Sequence, residues 1–460
     1  MPPAVPERFA RLVSGTEELA ERFHRAGRRL YLVGGSVRDA LLGREARGDL
    51  DLTTDAPPEE IERVLSPLAD ALWTQGAVFG TIGARVGEHL FEITTHRAEV
   101  YRPESRKPEV TFGDDLKTDL SRRDFTVNAM ALDLRDLELI DHFGGLEDLA
   151  ASRLRTPLDP AISFGDDPLR MLRAARFMAV YGFDPVPELT EAVSSGHHRL
   201  AIVSRERIGA ELERLLVAPT PSVGLLFAVQ TRLAEEFLPE LPALALEQDP
   251  VHRHKDVLAH TLAVVDRTSS DRLLRLAALF HDVGKPKTRS YGPGGVSFHH
   301  HEVVGARITK ARMEELRFAK EDIDIVARLV ELHLRFHTYQ LGWTDRAVRR
   351  YVRDAGPLLA RLNELTRCDC TTRNVAKARS LERRMDELER RISELAEREE
   401  LDSIRPDLDG TRVMEILGIG PGPMVGRALD FLLELRMDEG PLGPQEASRR
   451  LETWWRKRQG

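Results

Sequence analysis

A chain that carries LYLVGGSVRDALLG at residues 30–43 has to make a strand, a tight turn and a helix start in quick succession. The apolar run, the paired glycines and the helical spacing that follows leave little other choice. Gly34 and Gly35 let backbone amides approach an anion closely. Ser36 is placed to cap the helix, and Arg38 adds a charge suited to a triphosphate. On its own the motif also fits a plain structural turn.

The run GDLDLTT follows, with Asp49 and Asp51 spaced by one residue on a predicted strand. That spacing sends both carboxylates to one face and Leu50 and Leu52 to the other. Two neighbouring acids repel unless something positive sits between them, and Mg²⁺ with its oxygen ligands suits them. Such a site can activate a hydroxyl and clamp a leaving pyrophosphate. Glu92 in FEITTHR lies between Phe91 and Ile93 on a later strand. It fits a third acid as well as it fits a half-buried strand's solvent face.

Residues 29 to about 150 mix short strands with turns: RRLYLV, GDLDLTT, HLFEITTHR and ALDLRDLELID. Beyond about 160 the pattern turns helical, in PLRMLRAARFMAVYGF, RERIGAELERLLV, LLRLAALFHDVG and IVARLVELHLRFH. Asn374–Glu400 reads as one long solvated helix, and GIGPGPMVG breaks the last helical region. The net charge is −8, from 67 basic and 75 acidic residues, so any RNA contact must use local basic patches. No apolar run approaches the ~20 residues a membrane span needs, and the first residues lack a secretory layout. Cys368 and Cys370 are the only cysteines. They lie too close for an ordinary staple, and a reduced cytoplasm fits them.

In order and spacing, GGSVRD, GDLDLTT, RRDFTVNAM, DHFGG and DDPLRMLRAARF resemble the class II tRNA nucleotidyltransferase and bacterial poly(A) polymerase family, over residues 25 to 240. The resemblance implies a polymerase-β-like head with Asp49 and Asp51 as the catalytic, Mg²⁺-binding acids. It implies that Arg123, Asp124 and Asn128 recognise the ribose and that Asp141 to Gly145 form a flexible hinge. It gives nucleotide contacts to Gly34, Gly35, Ser36, Arg38, Arg173 and Arg176. Asp167 and Arg170, three apart and so on one helix face, would select the base. A carboxylate accepts from the amino group of cytosine or adenine but is repelled by the oxygen of uracil or guanine. The guanidinium donates to the adjacent ring nitrogen. Asp166 stands where the family usually has Glu. The bland alternative for Asp167 and Arg170 is a surface salt bridge.

Further along, His260, His281–Asp282 and Asp369 resemble the metal ligands of the HD phosphohydrolase superfamily, in order. His301 and His333 look like the extra ligands of a two-metal HD site. Imidazole with carboxylate suits Ni, Mn, Fe, Co or Zn rather than Mg. Whether this site hydrolyses anything stays open. Cys368 and Cys370 read as packing residues flanking a ligand Asp.

The expected fold class is α+β: a nucleotidyltransferase head (1–155, a small mixed sheet with helices), a helical neck (156–245) with base-reading and RNA-binding elements, an HD domain (246–375) and a helical tail (376–460). The tail's Gly/Pro turn presents amides to an RNA phosphate or simply joins two helices. The expected function is Mg²⁺-dependent, template-independent addition of CMP and AMP to the tRNA 3′ end, with tRNA, CTP and ATP as partners. No membrane and no obligate protein partner are indicated. The alternatives are a poly(A) polymerase or CC- or A-only enzyme of the same family, and an HD phosphohydrolase whose head merely binds nucleotide.

Overall fold

The apolar run at Leu30–Val33 becomes a central strand, β1, with all four side chains buried. Strands buried on both faces read as continuous apolar runs. The double glycine then turns the chain into α1 (Gly35–Leu41), whose Val37 and Ala40 are buried. Next comes β2 (Leu50–Thr54), in which Asp51 is the one exposed position, and α2 (Pro58–Leu65), which buries Ile61 and Leu65. The sheet is completed by β3 (Ala71–Trp73), β4 (Thr81–Val86), β5 (His89–Thr95), β8 (Met130–Asp133) and β9 (Leu139–Asp141), while β6 (Arg97–Arg102) and β7 (Ser105–Phe112) form a separate hairpin. Its order is β3-β4-β5-β2-β1-β8-β9, mixed, with β2 and β5 parallel and every other pairing antiparallel.

This computed structural model describes residues 9, 12–44, 49–102, 105–113, 115–246, 256–292, 295–338, 343–370, 375–399 and 404–459. Gly48 and both ends expected for the long helix, Asn374 and Glu400, lie outside them. The chain divides into two compact units, Met1–Pro242 and Ala243–Gly460.

Beyond the sheet, the first unit is helical. It includes α3 (Leu116–Ser121), α4 (Pro160–Asp166), α5 (Leu169–Tyr181) and α6 (Arg205–Leu216). α5 buries residues on most of its surface, from Leu169 through Ala179, as a helix enclosed by neighbours does. One short parallel ladder, β10 (Arg153–Leu154) with β11 (Asp184–Pro185), interrupts the helices.

The second unit runs through α7 (Val257–Arg267), α8 (Arg272–Phe280), a hairpin of β12 (Arg289–Gly292) and β13 (Gly295–Phe298), α9 (His301–Glu315), α10 (Lys320–Leu332), α11 (Leu359–Asp369) and α12 (Val375–Arg398). Asp256 and Asp271 cap α7 and α8 by accepting from Ala259 N at 3.0 Å and Leu274 N at 2.8 Å, which fixes where those helices start. α12 is the long helix the charge pattern predicts, yet it is not wholly solvated. Met385, Leu388 and Leu395 are buried, because one face supplies an apolar stripe between the charges. Last come α13 (Gly410–Leu417), α14 (Pro423–Glu439) and α15 (Pro444–Gln459), which share a small core of Leu408, Val413, Ala428, Leu432, Ala447 and Leu451. The Gly/Pro cluster forms the turn between α13 and α14, with Gly418 closing α13 in the left-handed conformation. Among the described residues no helix is long and apolar enough to cross a membrane.

Candidate functional sites

In the head, the parallel pairing of β2 and β5 sets Asp51 directly opposite Glu92. Asp49 lies one residue before the strand, so three carboxylates share one open face. The Asp51 carboxyl is held above the usual range, first by partial desolvation and then by Asp49, with the Arg123 guanidinium working the other way. Glu92 is also raised, by desolvation and then by Asp51 and Asp49. Neighbouring acids in an all-oxygen donor set fit a hard divalent cation such as Mg²⁺. Among the described residues, however, the head acids do not form a trio as tight as those of the HD unit described below.

Gly34 closes this face from below. Its φ of +73° is a conformation that L side chains rarely adopt, and a Cβ there would meet Arg123 Nη1 at 3.2 Å and Asp51 Oδ2 at 3.5 Å. Gly34, with no side chain, is also the residue that precedes α1, and Ser36 lies buried inside the helix without capping it. The expected Ser36 cap is therefore corrected: the helix begins at Gly35, two residues too early for it.

Arg123 is steadied by Asp119, which the sequence reading missed. This fully buried carboxylate accepts from Arg122 at 2.7 Å and Arg123 at 3.4 Å. The visible signal was an acid three and four residues before the two arginines.

Behind that face lies a network of buried polar groups. Asp124 accepts from Arg173 Nε at 2.9 Å and from Asn128 Nδ2 at 2.8 Å, and Asn128 Oδ1 accepts from Arg38 Nη1 at 2.5 Å. Burial alone would raise the Asp124 carboxyl, but the Arg173 guanidinium and Asn128 outweigh it and hold it well below the usual range. Arg38 also forks onto Asp39 at 2.9 and 3.0 Å and stacks over Tyr181 at 4.4 Å. Arg176 is bonded to the buried Glu211. Arg38, Asp124, Asn128, Arg173 and Arg176 are thus joined to protein partners rather than standing open to a ligand.

Asp167 and Arg170 do not meet as a pair. Asp167 sits in the link between α4 and α5, with Oδ1 accepting from Leu169 N at 3.2 Å and Oδ2 from Arg207 Nη2 at 2.9 Å. Arg170 is 8% exposed and donates to Ser163 Oγ at 2.8 Å and to the carbonyl of Arg122. The shared helix face expected of them is corrected, because Asp167 precedes the helix. The surface salt bridge between them is absent. In the stretch expected to form the hinge, Asp141 accepts from Gly145 N and Leu146 N, both at 2.9 Å.

The HD unit gathers its six predicted ligands. The potential ligand atoms of His260, His281 and Asp369 lie within 4.8 Å of one another, as do those of Asp282, His301 and His333. Asp282 spans both trios: Oδ2 is 3.3 Å from His281 Nε2 and 3.6 Å from His260 Nε2, while Oδ1 is 3.3 Å from His301 Nε2. Asp369 Oδ1 lies 2.9 Å from His260 Nε2.

Three of the imidazoles are fixed from behind, because Nδ1 of His281, His301 and His333 faces the carbonyl of Ala278 at 2.7 Å, Phe298 at 2.8 Å and Val330 at 2.6 Å. A carbonyl only accepts, so each Nδ1 carries the proton and each Nε2 turns its lone pair inward. Nε2 of His301 and His333 is buried without a hydrogen-bond partner. Orphaned lone pairs beside the buried Asp282 and half-buried Asp369 carboxylates fit one or two transition-metal ions. Burial pushes His333 down to about 3, whereas at His281 the Asp282 charge overcomes burial and raises it.

Gly284 makes the arrangement possible: a Cβ there would come 2.1 Å from the His301 carbonyl, so only glycine lets α9 bring His301 up to Asp282. Lys285, which the sequence reading passed over, places Nζ 2.6 Å from Asp282 Oδ2. Cys370 Sγ donates to the Thr366 carbonyl at 3.3 Å, and burial pushes the Cys368 thiol up to about 11. A thiol raised this far is protonated near neutral pH and suits packing rather than zinc ligation.

Comparison with known proteins places these sites in a family. A model of the poly A polymerase head domain matches residues 30–155, one of the HD domain matches 255–401, and one described as the probable RNA and SrmB- binding site of polymerase A matches 182–244. The chain is 34% identical to the CC-adding tRNA nucleotidyltransferase of Thermus thermophilus, over 93% of both chains. It is 34% identical to the A-adding tRNA nucleotidyltransferase of Deinococcus radiodurans, over 92% of this chain and 95% of that one. The CCA-adding enzyme of Bacillus pumilus is 42% identical, over 46% of this chain and 52% of that protein, so the match spans about half of that relative. The fold is shared with the Bacillus stearothermophilus CCA-adding enzyme in complex with CTP, at a TM-score of 0.71 and 23% identity, over 98% of each chain.

Proposed function

Because this chain belongs to the class II CCA-adding family of tRNA nucleotidyltransferases with an HD domain, we propose that it adds CMP and AMP to the tRNA 3′ end. The observation that carries this is the facing of Asp51 and Glu92 across β2 and β5, with Asp49 beside them and Gly34 and Arg123 at the edge. In the proposed reaction the tRNA 3′ oxygen bonds to the nucleotide α-phosphorus, the bond to pyrophosphate breaks, and the hydroxyl proton leaves. Mg²⁺ held by Asp49 and Asp51, with Glu92 as the third acid, would supply charge neutralisation for the attacking and leaving oxygens. Arg123, steadied by Asp119, offers a cation to the phosphates. Gly34 lets the backbone come close to them. Asp167 supplies the acceptor that favours the amino-bearing bases. Asp124, Asn128, Arg38, Arg173 and Arg176 hold the ribose side of the pocket in shape.

We assign residues 1–155 to the head, 156–245 to the neck, 246–375 to the HD domain and 376–460 to the tail. The HD ligands are proposed to hold a transition metal in a site that the transfer reaction does not use. Reduced thiols and the tRNA substrate fit a cytoplasmic protein.

A second reading is favoured by one specific observation. The two relatives matched over nearly their whole length add only CC or only A. The discriminating experiment supplies tRNA ending before CCA, after C and after CC with labelled CTP or ATP. Full CCA addition predicts C on the first two substrates and A on the third. C on the first two with no A on the third points to a CC-adding enzyme, and A on the third alone to an A-adding enzyme. Failure of all three substrates overturns the transferase reading.

A further inference from the structure

The carboxylate of Asp167 is held by a guanidinium that its sequence neighbourhood does not supply. Asp167 lies in extended backbone between α4 and α5 (φ −134°, ψ 98°), outside either helix, so helical packing does not set its side chain. Two bonds do: Leu169 N to Oδ1 at 3.2 Å and Arg207 Nη2 to Oδ2 at 2.9 Å. Arg207 comes from α6, 40 residues further along. Arg170, at the spacing where a partner would be sought, is turned inward onto Ser163 and the Arg122 carbonyl. The Arg207 side chain is 41% exposed and that of Asp167 22%, so the pair lies where a ligand can reach it.

We propose that Arg207 is a specificity-determining positioning residue, which fixes the orientation in which Asp167 accepts the amino group of cytosine or adenine. The inference rests on the reading of Asp167 as the base acceptor. A carboxylate held at both oxygens, Oδ1 by Leu169 N and Oδ2 by Arg207, aims its remaining lone pairs in one direction and cannot turn from the oxygen of a uracil or guanine. Released, it rotates, and the penalty on the wrong base falls. The planar fork of arginine fixes that orientation, whereas an ammonium keeps the charge without the plane.

The test measures kcat and KM for CTP, UTP and GTP on tRNA lacking CCA, and for ATP, UTP and GTP on tRNA ending in CC, for the full chain and for Arg207→Ala, Arg207→Lys, Arg207→Gln, Asp167→Ala and the Asp167→Ala/Arg207→Ala double variant. Arg207→Ala is expected to lower the preference for CTP and ATP over UTP and GTP about tenfold, as the loss of one charge-assisted bond would. Arg207→Lys should restore part of it, and the double variant should discriminate no worse than Asp167→Ala alone. Arg207→Gln keeps a donor without the fork and must also lose preference, which decides the matter if the alanine variant does not fold. If Asp167→Ala loses its preference while the Arg207 variants slow all four nucleotides equally, Arg207 is only structural and the proposal falls, with Asp167 still the reader. If Asp167→Ala keeps full preference, both fall.

Discussion

Asp49, Asp51 and Glu92 stand on an open strand face, where desolvation and then the neighbouring acids raise Asp51 and Glu92, and Arg123 at the edge draws Asp51 back down. His260, His281, Asp282, His301, His333 and Asp369 are enclosed, and backbone carbonyls already orient three of the imidazoles. The contrast is one of preorganisation. An open, all-oxygen face suits a hydrated cation that comes and goes with its nucleotide. A buried imidazole cage with orphaned lone pairs suits an ion that stays. One chain thus carries two candidate metal sites with different donor sets on separate elements, with no ligand in common.

The strongest way to break this comparison is at the acids. Asp51→Ala is expected to lower nucleotide addition by about 10³-fold or more, since charge stabilisation in the transition state is lost. Its far-ultraviolet circular dichroism should match the parent, because Asp51 is the exposed position of β2. Near-normal incorporation by the folded variant would remove the two-acid account.

Next in size is the cage. A His281→Ala/Asp282→Ala variant is expected to bind transition metal about 10–100-fold more weakly, as measured by metal analysis after dialysis, while nucleotide addition persists. Unchanged metal content would show that the ligands were wrongly chosen.

The polar network behind the open acids is tested through stability rather than activity. Asp124→Asn leaves the Arg173 guanidinium without its charge partner and should cost about 3 kcal/mol of stability at pH 7 in denaturant titration. The folded carboxyl lies well below its unfolded value, so its contribution is complete above roughly pH 4–5 and fades as the pH falls through the unfolded and then the folded range. The gap between parent and variant should therefore narrow on acidification. A gap that does not narrow would mean that the Asp124 charge is not what stabilises the network.

Much of this was legible in the residues. Strands β1, β2, β5, β8 and β9 and helices α5, α6, α8 and α10 follow from apolar period, α12 from its charge pattern, and the HD ligands from their order. Less visible was anything set by pairing across the chain. That Asp51 faces Glu92 depends on a parallel register between strands 41 residues apart, which no local pattern encodes. Asp167 found Arg207 rather than Arg170 because α4 ends just before it, and boundaries one residue apart decide which face a side chain takes. Ser36 lost its capping role to a boundary two residues early. Asp119 escaped notice because a buried acid between two arginines looks like surface charge until its burial is known.

The central claim, that the transferase chemistry belongs to the open acids and is independent of the cage, is tested most directly with metal-stripped protein. Given Mg²⁺ alone, tRNA lacking CCA and labelled CTP, the stripped parent and the His281→Ala/Asp282→Ala variant should both incorporate label at the rate of untreated protein. A requirement for added transition metal, or loss of incorporation in the double variant alone, would contradict it.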